Sequence, residues 1–430
     1  MAVAIILLLF LLIATGMPLA FALGVVGALG VWVFGGLDPM ISFLATTPFT
    51  SASNYELMTI PMFVLMAEFV IVSGVAEELF DTMDSWTRGV RGGLGLSTIA
   101  TGAMFSSICG SSAASAATLA STALPQMRRH GYDLKLATGL TAITGTLSSM
   151  IPPANGLIIY GVLSEVDLGR LLVAGLVPGA IAACVLAATL QWQVRRRPEL
   201  IQAREDAPLL LRVRLRKLTR ILPMAMLFVM VMGILYLGLG TATEASALGA
   251  VGAAAITVKR GRMTLASLSR ALRNTIRVST MITLIITCAL LFGYFLTLSQ
   301  ATQQLTDGIA RLDTSPWVVI ALLIAIKLVL GCFMDQVALL VLTVPITLPI
   351  VVGLGFDPIW YGIVLALTSE IGLVTPPIGL NAYIVARYTN VPVEQVFIGV
   401  LPYMLAMFGF LIVLVAFPSI SLFLPGLMHR

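Results

Sequence analysis

The sequence predicts an all-α polytopic membrane protein that contains two related halves. Of its 430 residues, 59% are apolar and only 10% are charged, whereas an ordinary soluble domain carries about 25% charged residues. Apolar runs of membrane-spanning length, about 20 residues each, recur from Ala2 almost to the C-terminus. The third observation is an internal repeat, because the dipeptide Pro152-Pro153 recurs as Pro376-Pro377. We therefore expect a single integral membrane domain over residues 1–430.

The repeat extends well beyond the two proline pairs. A shift of 224 residues places Leu124-Pro125 on Leu348-Pro349, Gly131 on Gly355, Asp133 on Asp357, Gly175 on Gly399 and Pro178 on Pro402. Proline, glycine and turn-forming aspartate are the residues that fix backbone shape. The match therefore predicts a duplicated backbone, with a first repeat over residues 57–192 and a second over residues 278–424.

The distribution of basic residues predicts the orientation of the two repeats. Arginine and lysine crowd the connection 195–220 and recur over 259–277, which assigns both stretches to the cytoplasm. The second repeat's connections 302–315 and 353–358 have no basic excess and belong outside. The repeats are therefore expected to be inverted. Nine crossings from a cytoplasmic N-terminus to an external C-terminus are predicted near 3–36, 57–75, 136–163, 170–192, 221–239, 243–258, 278–299, 359–387 and 396–424.

Residues 193–277 are interpreted as a basic cytoplasmic connection, two linking helices and an interfacial arm. The segments Glu77–Arg91 and Thr264–Arg277 mix apolar and charged residues at helical spacing, which is typical of helices that lie along a membrane surface. An ordinary amphipathic connection would show the same pattern.

Two apolar regions, 94–127 and 316–352, have both ends on one side in this topology. Small or polar residues divide each near its middle, at Gly110-Ser111-Ser112 and at the segment from Gly331 to Asp335. Arms of about 15 residues reach about 22 Å, short of a hydrocarbon core about 30 Å thick. Each repeat is therefore expected to contain a re-entrant helical hairpin whose tip is buried in protein or lines a wet cavity.

Each repeat is also expected to contain a helix broken by its proline pair, over 134–163 and 359–387. Adjacent prolines unwind about one turn and free carbonyl oxygens in mid-membrane. Such Pro-interrupted segments at corresponding places in two halves point to a transporter's binding site, where carbonyls hold a cation such as Na⁺ and helix N-termini favour an anionic substrate. One cation site per repeat is the resulting hypothesis.

Structural explanations compete with these functional ones. Small-residue runs such as Ser111–Ser115 are common where membrane helices pack closely, and proline pairs can simply kink a span. Asp335 is stronger evidence, because a carboxylate within an apolar segment is costly and usually faces a bundle interior or cavity. Glu68, Lys327 and Glu370 also lie in apolar context, as ion-pair partners or as side chains that reach the interface. Lys327, about one turn from the second tip, is a candidate ligand for a carboxylate substrate.

Other functional classes find little support in the sequence. The net charge of +5 is low for nucleic-acid binding. No GxxxxGK[ST] nucleotide-binding pattern or HExxH zinc motif occurs, and Asp335 has no obvious intramembrane aspartate partner for hydrolytic chemistry.

The motifs resemble those of a known family. The segments GCFMDQVALLVLTVPITLPIV from Gly331 and GFDPIWYGIVLALTSEIGLVTPPIGLNAYIV from Gly355 resemble the signature of the large membrane subunit of TRAP (tripartite ATP-independent periplasmic) transporters. CGSSAASAATLAS from Cys109 and IPPANGLIIYG from Ile151 are similar to that family's first-half motifs. The resemblance covers essentially the whole chain. One departure is Ala154, which stands where a serine often follows the prolines.

The resemblance implies an elevator-type secondary transporter of the ion-transporter superfamily, with scaffold and transport domains, and no enzymatic activity. It would import a carboxylate-bearing solute with at least two Na⁺ ions in the bacterial inner membrane. A periplasmic binding protein would deliver the substrate, and a small four-helix membrane subunit would be present as a separate chain. The alternative is a Na⁺ or H⁺ symporter of the same architecture that works without a binding protein.

The resemblance also assigns candidate site residues, motif by motif. The first Na⁺ site and adjoining substrate cavity would be formed by Gly110, Ser111, Ser112, Ile151, Pro152, Pro153 and Asn155. The second would be formed by Gly331, Asp335, Thr375, Pro376, Pro377, Gly379 and Asn381.

Overall fold

The computed structural model describes residues 1–201, 210–311 and 314–428, and within them the chain is helical. An isolated bridge between Tyr132 and Ile201 is the one extended pairing in the described residues. The predicted all-α class is confirmed. Residues 202–209, part of the predicted basic connection, lie outside the described ranges, as does His429 at the C-terminus.

Five helices precede the first hairpin: α1 (Ala2–Ala14), α2 (Leu19–Gly35), α3 (Leu37–Ala52), α4 (Thr59–Val72) and α5 (Val75–Thr87). The span expected at 3–36 is two helices, because the chain leaves helical geometry before Pro18, which precedes α2. Helix α3 is missing from the sequence-based prediction. It is bent by 54° relative to the segment that contains α4, and the two together are long enough for one crossing.

The first repeat has the predicted hairpin and broken helix. After α4 and α5, its helices are α6 (Gly93–Cys109), α7 (Ser112–Arg129), α8 (Leu134–Gly145), α9 (Asn155–Ser164), α10 (Leu168–Ala174) and α11 (Leu176–Arg196). Gly110 and Ser111 form the tip between α6 and α7. A 3₁₀ turn over Thr146–Ser149 follows α8, and Pro152-Pro153, joined by a cis peptide bond, lies in the unwound segment before α9.

The linking region differs from the prediction in two places. Its helices are α12 (Leu211–Tyr236), α13 (Ala242–Lys259), α14 (Leu265–Leu298) and α15 (Ala301–Arg311). Helix α12 begins ten residues before the expected start at 221, so part of the basic stretch is helical. The expected arm Thr264–Arg277 is not a separate helix, because Thr264 caps α14 and no proline interrupts its 34 residues.

In the second repeat, α14 and α15 are followed by α16 (Pro316–Gly331), α17 (Gln336–Gly353), α18 (Pro358–Gly372), α19 (Leu380–Thr389), α20 (Val393–Ala416) and α21 (Ser419–Leu427). The span expected at 396–424 is divided before Pro418. Asp133 and Asp357 both cap the helices that follow them, and Gly131 and Gly355 have φ angles of 68° and 83°. Pro376-Pro377 is also cis. The backbone duplication is therefore present in detail.

The hairpin arms are longer than expected. They contain 16 to 18 residues, or about 24–27 Å at 1.5 Å per residue, instead of about 15 residues. By length and composition, five helical segments of the described chain can cross a membrane, or six if α3 and α4 count as one. Helix α17 is among the five, whereas the halves of the broken helices are each too short. The nine-crossing topology stays a prediction.

The two repeats pack against each other reciprocally. Helix α7 of the first hairpin contacts α19, and α17 of the second hairpin contacts α9. Reciprocal contacts of this kind are the signature of a two-fold relation between like units. A second close contact joins α8 to α20, where a Cβ atom at Gly139 would lie 2.1 Å from the carbonyl carbon of Gly399. The absence of a side chain at Gly139 therefore sets the distance between these helices.

We predict that Gly139→Ala destabilises the protein by about 1–3 kcal/mol, because the added methyl group must displace the backbone of α20. Gly233→Ala in α12 is the matched control, since no atom lies within 4 Å of its added Cβ. That variant should be neutral or slightly stabilising. Thermal unfolding in detergent measures both, and equal melting temperatures for the two variants would contradict the packing argument.

Candidate functional site

The first hairpin tip lies directly against the first helix break. Gly110 ends α6 in a left-handed conformation with a φ angle of 62°. Its carbonyl oxygen accepts a hydrogen bond from the Asn155 backbone N–H at 3.1 Å. A Cβ atom at Gly110 would lie 2.6 Å from the carbonyl oxygen of Pro153. The structure thus brings three predicted site residues together, and only glycine permits this approach.

The remaining residues of the first candidate site have different surroundings. Ser111 caps α7, and its hydroxyl accepts a long contact of 3.5 Å from the Ala114 backbone N–H. Ile151 and Pro152 are buried, and Ile151 packs on α11, where a Cβ atom at Gly179 would meet it at 2.7 Å. One turn before the tip, the hydroxyl of Ser106 is buried and has no hydrogen-bond partner among the described residues.

Ser112 lies in a hydrogen-bonded chain that joins the two repeats. Its hydroxyl donates to Oε1 of Glu370 at 2.7 Å and lies 2.9 Å from the hydroxyl of Ser149. The Ser149 hydroxyl donates to Oε1 of Gln336 at 2.9 Å. The hydroxyl groups of Ser112 and Ser149 carry only two hydrogens for these three contacts. The third hydrogen must therefore come from Gln336 or Glu370, at the two ends of the hydrogen-bonded chain. Its source is either the Gln336 amide, in its other orientation, or a protonated Glu370 carboxyl.

These hydrogen bonds define the surroundings of the Glu370 side chain. Its side chain is buried, and no cationic side chain among the described residues lies within 4 Å of its carboxylate. The ion-pair alternative is therefore wrong for Glu370, whose neighbours are hydroxyls. Glu68 instead accepts a hydrogen bond from the Asn274 side chain, which joins α4 to α14.

The second hairpin tip is more open than the first. Gly331 is buried against α18, where a Cβ atom at Gly372 would lie 2.7 Å from the Gly331 Cα. The segment from Gly331 to Asp335 lines a cavity of about 300 Å³, together with Ile378 and Leu380 of the second break. Pro376 and Pro377 are exposed. The tip and break face a common cavity, without the direct backbone contact that closes the first site.

Asp335 has a structural role that the sequence analysis did not assign. It is exposed, and its Oδ1 accepts a 2.7 Å hydrogen bond from the Ala338 backbone N–H, which caps α17. Ser111 caps α7 at the equivalent position, 224 residues earlier. Because Asp335 is neither buried nor unpaired, the argument from the cost of burying its charge does not apply.

The other predicted residues of the second site lie around the break. The Thr375 hydroxyl donates to the Ile371 carbonyl of its own helix. Gly379 is left-handed, with a φ angle of 55°. The Asn381 backbone N–H donates to the Leu373 carbonyl at 3.1 Å, so the second break closes on itself. The Asn381 side chain is fully buried, and its amide has no partner among the described residues.

Lys327 does not line the cavity beside the second tip. Its side chain is 2% exposed, and Nζ lies 4.9 Å from the ring centroid of Tyr361 in α18. In this arrangement the Lys327 amine is buried beside Tyr361 and away from that cavity.

Sequence reasoning missed Ser149 and Gln336, which complete the chain between the repeats. Each is a polar residue next to a motif that the analysis did single out, Ile151-Pro152-Pro153 and Asp335 respectively. Their positions beside a break and a tip could have identified them as candidates. Their contact with each other could not be predicted, because they are far apart in the sequence.

Comparison with known proteins identifies the family. Residues 6–420 match the family described as "Tripartite ATP-independent periplasmic transporter, DctM component". The chain belongs to this TRAP transporter family. The resemblance inferred from the motifs is thereby confirmed, and the protein is a transporter permease subunit and not an enzyme.

Similar proteins that are named as TRAP transporter permeases support this assignment. The C4-dicarboxylate TRAP transporter large permease protein DctM of Pseudomonas aeruginosa is 32% identical over 410 residues, covering 94% of each chain. The isethionate TRAP transporter permease protein DctMQ of Oleidesulfovibrio alaskensis is 30% identical over 97% of this chain and 65% of its own length. The YdaH transporter of Alcanivorax borkumensis shares the fold, with a TM-score of 0.62 at 14% identity over 89% of each chain.

We predict that Gly110→Ala destabilises the protein more than Gly355→Ala. Both substitutions force alanine into left-handed geometry, which costs about 1–2 kcal/mol. Only Gly110→Ala also meets a carbonyl oxygen, since nothing lies within 4 Å of a Cβ at Gly355. Thermal unfolding of the two purified variants checks the difference, and a larger loss for Gly355→Ala would refute the tight contact between tip and break.

Proposed function

We propose that this TRAP permease subunit imports a carboxylate-bearing organic solute, such as a sugar acid or a dicarboxylate, by Na⁺ symport with an elevator mechanism. The observation that carries the proposal is the meeting of Gly110 with Pro153 and Asn155, which places a hairpin tip against an unwound helix inside the protein. Unwound backbone at such a place exposes carbonyl oxygens that suit an alkali cation.

Helix ends support one cation site in each repeat. The C-terminal end of α6 lies at the first break, and the C-terminal ends of α16 and α18 meet where Gly331 contacts Gly372. These ends carry partial negative charge and unpaired carbonyl groups. The described residues contain no group of three or more His, Cys, Asp or Glu side chains that could hold a metal. Backbone and hydroxyl oxygens, joined at the second tip by the single carboxylate of Asp335, are the proposed Na⁺ ligands.

The proposed substrate follows from the opposite helix ends and from the relatives. Helices α7 and α17 begin at the two tips, and their N-termini favour an anion between them. Relatives are named for a C4-dicarboxylate and for sialic acid, both of which carry carboxylate groups. We infer a substrate with at least one carboxylate group. Lys327 is not proposed as its ligand in this arrangement.

The proposed assembly has two further components. A periplasmic binding protein would deliver the substrate, and a small four-helix membrane subunit, which can be fused to the permease as in the DctMQ relative, would complete the transporter. The positive-inside rule supports a cytoplasmic N-terminus and a periplasmic C-terminus in the bacterial inner membrane.

Reconstitution tests the function directly. Proteoliposomes that contain this chain and its small subunit should accumulate a labelled organic acid only with an inward Na⁺ gradient and the cognate binding protein. Candidate acids can first be selected by thermal stabilisation of the binding protein. Uptake without the binding protein would favour the alternative symporter, and uptake driven equally by a proton gradient would contradict Na⁺ coupling.

We predict that Asp335→Asn lowers Na⁺-coupled uptake at least about tenfold while it leaves the melting temperature unchanged. Asparagine caps a helix as well as aspartate, so this substitution removes the charge facing the cavity but keeps the cap, and loss of a charged contact is worth about 1.5–3 kcal/mol. Asp335→Ala should lose the cap as well, at a cost of about 1 kcal/mol.

Asp357→Asn is the matched control for Asp335→Asn. Asp357 caps α18 through hydrogen bonds from two backbone N–H groups and does not line the cavity. Its substitution should leave uptake and Na⁺ dependence intact. Normal uptake by Asp335→Asn would restrict Asp335 to capping and remove it from the second Na⁺ site.

A further inference from the structure

A groove between α11 and α20 combines two chemically different linings. It has a volume of about 540 Å³ and is bounded on one side by Arg196 and Arg197 at the end of α11. On the other side it is bounded by Leu401 and Leu405 of α20, whose exposed fractions are 48% and 59%. A cationic end and an apolar wall within one groove are the features of a site for an amphipathic anion.

The cationic end is held in place by an aromatic side chain. The guanidinium carbon of Arg196 lies 5.6 Å from the ring centroid of Trp192, which also lines the groove. This cation–π contact orients the arginine. The hydrophobic part of α11 ends beside this groove, since Arg195–Arg197 follow it directly. An exposed tryptophan beside arginines at the end of a span marks the headgroup level of a bilayer.

The duplication shows that the fold itself does not require these arginines. At a shift of 224 residues, Arg196 and Arg197 correspond to Ile420 and Ser421, which lie in the first turn of the short helix α21. Helix α21 packs against α10 and α11. The surface that corresponds to the groove by the repeat is therefore covered by a helix of the second repeat. The apolar wall is retained, because Val177, Pro178 and Ile181 correspond to Leu401, Pro402 and Leu405.

We propose that the groove binds one anionic phospholipid, with its phosphate on Arg196 and Arg197 and an acyl chain along Leu401 and Leu405. Arginine presents a planar fork of donors that matches a phosphate group. A transmembrane helix as the occupant would cover the leucines but would bury the two guanidinium groups without anions, which is costly. Because α11 and α20 belong to different repeats, the lipid contacts both repeats at once.

Native mass spectrometry of the purified chain, titrated with phosphatidylglycerol or with phosphatidylethanolamine, tests this site. The wild-type chain should retain one tightly bound phosphatidylglycerol. The double variant Arg196→Gln, Arg197→Gln should bind that molecule at least about tenfold more weakly, since two charge-assisted contacts are lost. Zwitterionic phosphatidylethanolamine should not compete at equal concentration.

The matched control is the double variant Arg212→Gln, Arg216→Gln. It removes the same charge from exposed positions of α12 outside the groove, and it should bind phosphatidylglycerol as the wild type does. Equal weakening in both double variants would show that overall charge, and not this groove, attracts the lipid, and would overturn the proposal.

A second pair of variants tests the apolar wall without any change of charge. Leu405→Trp fills the groove and should displace the lipid, whereas Ile412→Trp, at another exposed position of α20 that does not line the groove, should not. Unchanged melting temperatures show that both variants are folded. Retention of the lipid by Leu405→Trp would count against an acyl chain in the groove.

Discussion

The structure depends on one constraint, which is that backbone groups freed inside a membrane protein must find partners within the protein. The two repeats meet it in different ways. In the first repeat the break is paired with the hairpin tip, through the hydrogen bond from Asn155 to Gly110. In the second repeat the break pairs with itself, through the bond from Asn381 to Leu373, and leaves Pro376 and Pro377 exposed beside a cavity. One duplicated backbone thus forms one closed site and one open site.

The hydrogen-bonded chain from Gln336 to Glu370 makes the two sites mechanically dependent. Ser112 at the first tip is bonded to the second broken helix, and Gln336 at the second tip is bonded to Ser149 of the first. Displacement of one tip relative to the other must break at least one of these buried contacts, at a cost of about 1–3 kcal/mol for each group left unpaired. This reciprocity favours movement of both hairpins as one body, which the proposed elevator mechanism would require.

The sequence predicted the parts of the fold that depend on local backbone chemistry. Both hairpins, both breaks and their equivalence followed from proline and glycine positions, because these residues act on the chain wherever they occur. Helix α3 was missed, and the continuity of α14 was not foreseen, because capping and packing decide helix bounds in amphipathic stretches. The exposure of Asp335 and its capping of α17 were not foreseen, because exposure cannot be read from neighbouring residues. The contact between Ser112 and Glu370 joins residues 258 positions apart, and no local pattern encodes it.

Departures from the duplication show where the two halves acquired separate chemistry. The residues that shape the backbone are retained at the same shift, whereas Ser111 is replaced by Asp335 and Thr146 by Glu370. Both replacements introduce a carboxylate. Ser111 and Asp335 each cap the helix that follows, so the backbone role is kept there, whereas Thr146 lies in a 3₁₀ turn and Glu370 in the α-helix α18. An ion bound at the first tip would meet hydroxyl and carbonyl oxygens beside the buried carboxylate of Glu370, to which Ser112 is hydrogen-bonded, whereas one bound at the second would meet the exposed carboxylate of Asp335. The two proposed cation sites should therefore differ in affinity, because the carboxylate at the first is held in a buried hydrogen bond between the repeats, whereas the carboxylate at the second lines a cavity.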